Sequence, residues 1–121
     1  MLPILIVDDE PDIGALLKKL LKMKGYEADV FSDPFQALSK YDVEKYGLVV
    51  MDFKMAGMNG FELFERIKEI DSQAKVLFLS GDSRHYAEYI EKNPTTSRLR
   101  YLHKPVLMQD LAREVAKMLE S

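Results

Sequence analysis

The stretch Ile4-Leu5-Ile6-Val7-Asp8-Asp9-Glu10-Pro11 decides how the rest of the chain is read. Four consecutive apolar residues suit a parallel strand buried on both faces; a half-buried strand would alternate apolar and polar positions. The run ends in two carboxylates. Pro11 then fits the first position of a helix, with Asp9 or Glu10 as candidate cap. Ile13, Leu16, Leu17, Leu20 and Leu21 follow at three-four spacing and form one apolar helical stripe. Lys18, Lys19, Lys22 and Lys24 give it a basic margin, and Gly25 suits a helix stop.

The same strand-then-helix unit recurs along the chain. A short strand from Glu27 to Phe31 leads to Ser32-Asp33-Pro34, which opens a second helix expected to end near Tyr46-Gly47. Leu48-Val49-Val50-Met51 is a third strand closed by Asp52. The turn formers of Lys54-Met55-Ala56-Gly57-Met58-Asn59-Gly60 come next, then a helix with Leu63, Phe64, Ile67 and Ile70 on one face. A fourth strand, Lys75 to Leu79, precedes a weaker helix from Arg84 to Lys92, stopped by Asn93-Pro94. The fifth strand, about Arg100 to His103, passes through Lys104-Pro105 into a last helix whose Leu107, Leu111, Val115, Met118 and Leu119 face inward. Strand-helix alternation of this kind predicts a three-layer α/β domain, a doubly wound five-stranded parallel sheet with helices on both faces.

Bulk properties narrow the function. The 121 residues make one domain, residues 1–121, and 47% hydrophobic content supports a real core. A net charge of −3 argues against direct nucleic-acid binding, and the lack of cysteine removes disulfides and thiolate metal sites. No apolar stretch reaches the roughly 18 residues a membrane span needs. Met1-Leu2-Pro3 runs into the first strand without signal-peptide features, so a soluble, cytoplasmic domain is expected. The chain stops at Met118-Leu119-Glu120-Ser121, so no output domain or helix-turn-helix is expected within it.

Parallel strands share one carboxyl edge, and open α/β folds bind ligands there. Asp8, Asp9, Asp52, Ser80 and Lys104 all follow or close apolar runs, so the fold would bring them together. Crowded carboxylates repel unless a cation neutralises them. Oxygen ligands without His or Cys favour Mg2+, or Mn2+, over zinc. Asp52 could then act as a nucleophile and form an aspartyl phosphate, with Lys104 neutralising one phosphoryl oxygen and Ser80 donating to another. Each residue alone has a plainer reading: Asp8-Asp9 as helix cap, Asp52 as an Asx-turn residue, Ser80 as a turn opener, Lys104 as a surface lysine. Their joint occurrence at strand ends favours the chemical reading.

These residues resemble the receiver domain of two-component response regulators, of the chemotaxis-regulator kind. The matching segments are Leu5-Ile6-Val7-Asp8-Asp9-Glu10-Pro11, Val50-Met51-Asp52-Phe53-Lys54-Met55, Gly57-Met58-Asn59-Gly60, Leu79-Ser80-Gly81 and Tyr101-Leu102-His103-Lys104-Pro105, which together cover essentially the whole chain. The resemblance implies a flavodoxin-like fold with strand order 2-1-3-4-5. It implies that Asp52 accepts phosphate from the phosphohistidine of a sensor histidine kinase or phosphotransfer protein. It further implies that Asp9 and Asp52 ligate Mg2+ directly, with Asp8 acting partly through water and the Lys54 backbone carbonyl as a further ligand. Lys104 would contact the phosphoryl group, Ser80 and Tyr101 would form the switch pair, and Lys54, Gly81 and Asp82 would flank the pocket. Such a domain is not a turnover enzyme; it catalyses only its own phosphorylation and dephosphorylation. A downstream effector, or a second copy, would engage the fourth helix, fifth strand and fifth helix.

Some positions depart from the commonest family pattern. Ala56 stands where proline is typical, so the loop after Asp52 is expected to be less rigid. Ser80 replaces the commoner Thr, and the segment from Asn93 to Arg98 lacks the usual small turn. Lys54 and Asp82 read first as two solvated charges, the alternative being a pair across the pocket mouth that hinders attacking water. The lysines of the first helix could meet an acidic partner, or simply be solvated. His85 and His103 read as ordinary surface or strand residues, and Met51, Met55 and Met58 as packing near Asp52. Two other classes compete. One is a binding module that works without phosphorylation. The other is a haloacid-dehalogenase-like phosphohydrolase, disfavoured because Lys54 stands where its second Asp would be. A flavin module is disfavoured by carboxylates at the end of the first strand.

Overall fold

In the computed structural model, which describes residues 1–93 and 98–120, strand and helix alternate throughout. The elements are β1 (Ile4–Val7), α1 (Pro11–Met23), β2 (Ala28–Phe31), α2 (Pro34–Lys40), β3 (Leu48–Asp52), α3 (Gly60–Ile70), β4 (Val76–Ser80), α4 (Ser83–Lys92), β5 (Leu99–His103) and α5 (Met108–Glu120). The strands form one parallel sheet in the order β2-β1-β3-β4-β5. The order reverses between β1 and β3, the place where such sheets open a crevice for ligands.

Register aligns the functional edge. Val7 pairs with Met51, Asp52 with Leu79, and Ser80 with His103. Asp8 therefore leaves β1 level with Asp52, while Ser80 and Lys104 lie one and two positions beyond that row. Side chains alternate across a strand, so each strand feeds two cores. Leu5, Val7, Val49, Met51, Val76 and Phe78 pack under α2 and α3, with α4 residues Tyr86, Tyr89 and Ile90 at the margin. Ile4, Ile6, Leu48, Val50, Leu77 and Leu79 pack under α1 and α5. All four β1 residues are fully buried, and each such side chain contributes roughly 1.5–3 kcal/mol.

The structure corrects several local expectations. Glu10 occupies the cap position of α1 without a side-chain cap bond, and the other candidate cap, Asp9, accepts the Ala56 N–H instead. Leu16 is 50% exposed, and Gly14 takes the place against the sheet; a Cβ there would meet the Val30 side chain at 2.7 Å. Helix α2 ends at Lys40, well before Tyr46. Tyr41 turns to an extended backbone, buries its ring and donates to Asp71 at 3.0 Å. Ile70 is 41% exposed; Leu107 is 57% exposed and precedes α5, which buries Leu111, Val115 and Met118. Helix α4 ends at Lys92 with Asn93 as its cap, whereas the expected Pro94 stop and the turn through residue 97 lie outside the described residues.

Helix α3 is fastened directly to the end of β3. Asn59 and Glu62 form a reciprocal capping box, and the Gly60 N–H donates to the Phe53 carbonyl at 2.7 Å. A Cβ on Gly60 would lie 2.9 Å from the Asp52 carbonyl oxygen and 3.1 Å from Phe53 Cα, both backbone atoms that cannot swing aside. Gly60→Ala is therefore expected to lower unfolding free energy by about 1–3 kcal/mol, read from urea melts, although alanine favours helix more than glycine.

Candidate functional site

Each acidic group at the strand edge is held by local backbone. Asp8 is 1% exposed and its Oδ1 accepts the Glu10 N–H at 2.9 Å. Its Oδ2 is buried without a hydrogen-bond partner among the described residues. Asp52, the last residue of β3, is 7% exposed. Asp9 is half-buried and its Oδ2 accepts the Ala56 N–H at 3.1 Å. One oxygen from each of these three carboxylates lies within 4.8 Å of the others.

Lys104 reaches this cluster from the turn after β5. Its backbone N–H donates to the Ser80 carbonyl at 2.9 Å, and the peptide bond to Pro105 is cis. Its Nζ stands 3.3 Å from Asp52 Oδ1 and 3.7 Å from Asp8 Oδ2. Burial pushes the Asp8 carboxyl above its ordinary range, against the Glu10 N–H and the Lys104 charge. Burial does the same to Asp52, opposed chiefly by Lys104. One ammonium cannot balance three carboxylates, so the cluster has charge room for a divalent cation. The all-oxygen donor set and the orphaned Asp8 oxygen fit Mg2+ or Mn2+.

Ser80 and Tyr101 lie behind the cluster. Ser80 Oγ accepts the Asp82 N–H at 3.1 Å. The Tyr101 hydroxyl donates to the Ser80 carbonyl at 2.9 Å and sits 3.1 Å from His103 Nδ1. Its ring stacks on Tyr86 at 5.1 Å. Phe53, Phe61, Phe78, Ser80, Asp82, Tyr86 and Tyr101 line a narrow crevice with no room for a water-sized body.

Among the described residues Lys54 and Asp82 do not pair. Asp82 caps α4, accepting the Arg84 N–H at 2.9 Å, and the Arg84 guanidinium grips both its oxygens at 3.0 and 2.8 Å. That grip holds the Asp82 carboxyl well below the usual range. A partner two residues away on the same turn needs less chain ordering than Lys54 across the mouth, and it wins. Lys54 and Gly81 are exposed beside the site.

An aromatic layer went unread in the sequence. His85 stacks on Phe53 at 4.8 Å, Phe53 meets Phe61 at 4.7 Å, and Phe61 stacks on Tyr89 at 4.2 Å. The Tyr89 hydroxyl donates to Glu65. Aromatics at 86 and 89 are visible in the sequence, but their partners come from α3, β4 and β5 and follow no local period.

The family model for the response regulator receiver domain matches residues 4–116. The response regulator receiver protein CpdR of Brucella abortus is 32% identical over 119 residues, covering 96% of this chain and 95% of that protein. Sporulation initiation phosphotransferase F of Bacillus subtilis is 30% identical, covering 96% and 92%. Sensor protein EvgS of Escherichia coli is 32% identical, but the chain spans only 10% of its length. Among solved structures, a receiver domain protein from Clostridium thermocellum superposes with a TM-score of 0.87 at 26% identity, covering 99% of this chain and 95% of that one. Response regulator TrrA from Thermotoga maritima, solved in complex with Mg(2+)-BeF, gives 0.83 at 33% identity over 98% and 99%. The chain belongs to the response regulator receiver domain family, the phosphorylatable signalling domains of two-component systems.

The raised Asp8 carboxyl has a pH consequence. A raised acid binds more protons folded than unfolded, so its stability contribution is full below the ordinary carboxylate value and lost as pH rises through the folded value. Without metal, Asp8→Asn is expected to melt a few degrees higher than wild type near neutral pH, with the gap closing toward about pH 4. Melts in EDTA across that range read it directly.

Proposed function

We propose that this chain is a Mg2+-dependent phosphoryl switch in which Asp52 accepts phosphate from the phosphohistidine of a sensor kinase or a phosphotransfer protein. The carrying observation is the approach of the Lys104 ammonium to 3.3 Å of Asp52 Oδ1 within a buried three-carboxylate cluster. An Asp52 oxygen attacks phosphorus; the new P–O bond forms as the P–N bond to the donor imidazole breaks, and the ring nitrogen leaves with the electron pair. Lys104 faces the developing charge on the phosphoryl oxygens. Asp8, Asp9, Asp52 and the Lys54 carbonyl would hold Mg2+, whose chemistry there is to neutralise charge on carboxylates and phosphoryl group together. Dephosphorylation reverses the modification when water attacks phosphorus and the aspartyl P–O bond breaks.

The hydrogen bonds in place support a switch. Ser80 Oγ also donates to the Asp82 carbonyl at 3.4 Å, and turning that O–H to a phosphoryl oxygen gives up this bond and loosens the turn into α4. Tyr101 is tied to the same residue through its carbonyl and shares the adjoining crevice. A shift of Ser80 is thereby relayed to the Tyr101 ring, biasing a two-state equilibrium at the α4-β5-α5 face, where an effector or a second copy would dock. Lys54, Gly81 and Asp82 flank the pocket, and Asp82 acts there as a carboxylate already neutralised by Arg84. The net charge of −3 fits a protein partner better than nucleic acid, and no helix among the described residues is long and apolar enough to cross a membrane. Exchange with the kinase domain of a sensor would take place in the cytoplasm.

Intact mass after incubation with acetyl phosphate tests this reading. Wild type is expected to gain one Mg2+-dependent, hydroxylamine-sensitive phosphate, and Asp52→Asn to gain none. A wild type that folds and binds Mg2+, yet takes no phosphate from acetyl phosphate or a kinase and ignores beryllofluoride, would instead be an interaction module independent of phosphorylation.

A further inference from the structure

The Ala56 N–H bond to Asp9 joins residues 47 apart, at the ends of two neighbouring strands, with an N···Oδ2 distance of 3.1 Å. Ala56 is exposed in the loop after β3, and Asp9 is half-buried. The far side of that loop is held independently, by the buried Met58 side chain and the Asn59 cap of α3. Gly57 turns at φ +83 above Phe35, whose ring would lie 3.0 Å from a Cβ at 57. Ala56 thus presents its amide from a segment anchored on its far side.

An Asp side chain has two torsions to fix before it can serve as a ligand. A hydrogen bond to one oxygen removes much of that freedom in advance and leaves lone pairs for a cation. We propose that the Ala56 N–H is a positioning group for the metal site. It sets the Asp9 carboxylate beside Asp8 and Asp52, and it ties the loop carrying the Lys54 carbonyl to the end of β1. A proline at 56 has no N–H and could not make this bond. The loop expected to be looser for lack of proline is, in this chain, tethered through the amide that alanine supplies. This inference rests on the Mg2+ site proposed above.

Titration of the metal-free protein with Mg2+ alone, followed by amide NMR, tests it. Ala56→Gly, which keeps the N–H, is expected to bind as wild type does. Ala56→Pro is expected to bind about tenfold more weakly, the low end for groups that orient metal ligands, because Asp9 is half-exposed. Equal or tighter binding by a folded Ala56→Pro protein overturns the proposal. Should that variant not fold, hydrogen exchange at the wild-type Ala56 amide decides: protection before Mg2+ is added supports a preformed bond, and free exchange overturns it. A wild type that binds no Mg2+ defeats the metal site itself, whereas binding that proline leaves unchanged defeats only the role of Ala56.

Discussion

Buried negative charge at the carboxyl edge of the sheet is the constraint around which this molecule is arranged. Two carboxylates, Asp8 and Asp52, are almost wholly removed from water. In an apolar setting each would be forced neutral. Backbone N–H groups and the Lys104 ammonium counter part of that penalty, and the Asp8 oxygen that takes no hydrogen bond from the described residues marks what remains. Fully matched charges would make an inert ion pair. The mismatch makes the edge receptive to a cation and to a phosphoryl group.

Holding that mismatch requires a rigid frame. The registers of β1, β3, β4 and β5 set the row from which Asp8, Asp52, Ser80 and Lys104 emerge, and apolar packing on both faces fixes those registers. The connections are fastened in turn: Lys104 N–H to the Ser80 carbonyl, Gly60 N–H to the Phe53 carbonyl, Ala56 N–H to Asp9. Each bond links a loop at the site to a strand end, so movement of one group is felt by the next. The aromatic layer from His85 through Phe53 and Phe61 to Tyr89 joins the end of β3 to α4, whose residues are all at least partly exposed.

Local physics explains which expectations held. Continuous apolar runs such as Leu48 to Met51 can be read as central strands because only burial on both faces favours them. The stripe of α1 was misread at Leu16 because a glycine gives no hydrophobic signal, yet Gly14 lets the helix approach Val30. The end of α2 was misplaced because Tyr41 is buried by a long-range bond to Asp71, which outweighs local helix preference. For Asp82, charge alone pointed to Lys54, while its position at the start of α4 committed it to Arg84.

The sequence by itself determined the alternation of elements, the chemical identity of the edge residues and, through five motifs in order, the family. Those properties reside in local periodicity and residue type, which the chain carries whatever its neighbours. Tertiary structure alone decided the distances that make Asp8, Asp52 and Lys104 one electrostatic unit, the pairing of Asp82 with Arg84, and the bond between Ala56 and Asp9. Such contacts depend on how separate strand ends and loops meet in space, and no periodicity along the chain encodes an angstrom-scale meeting between residues 47 positions apart.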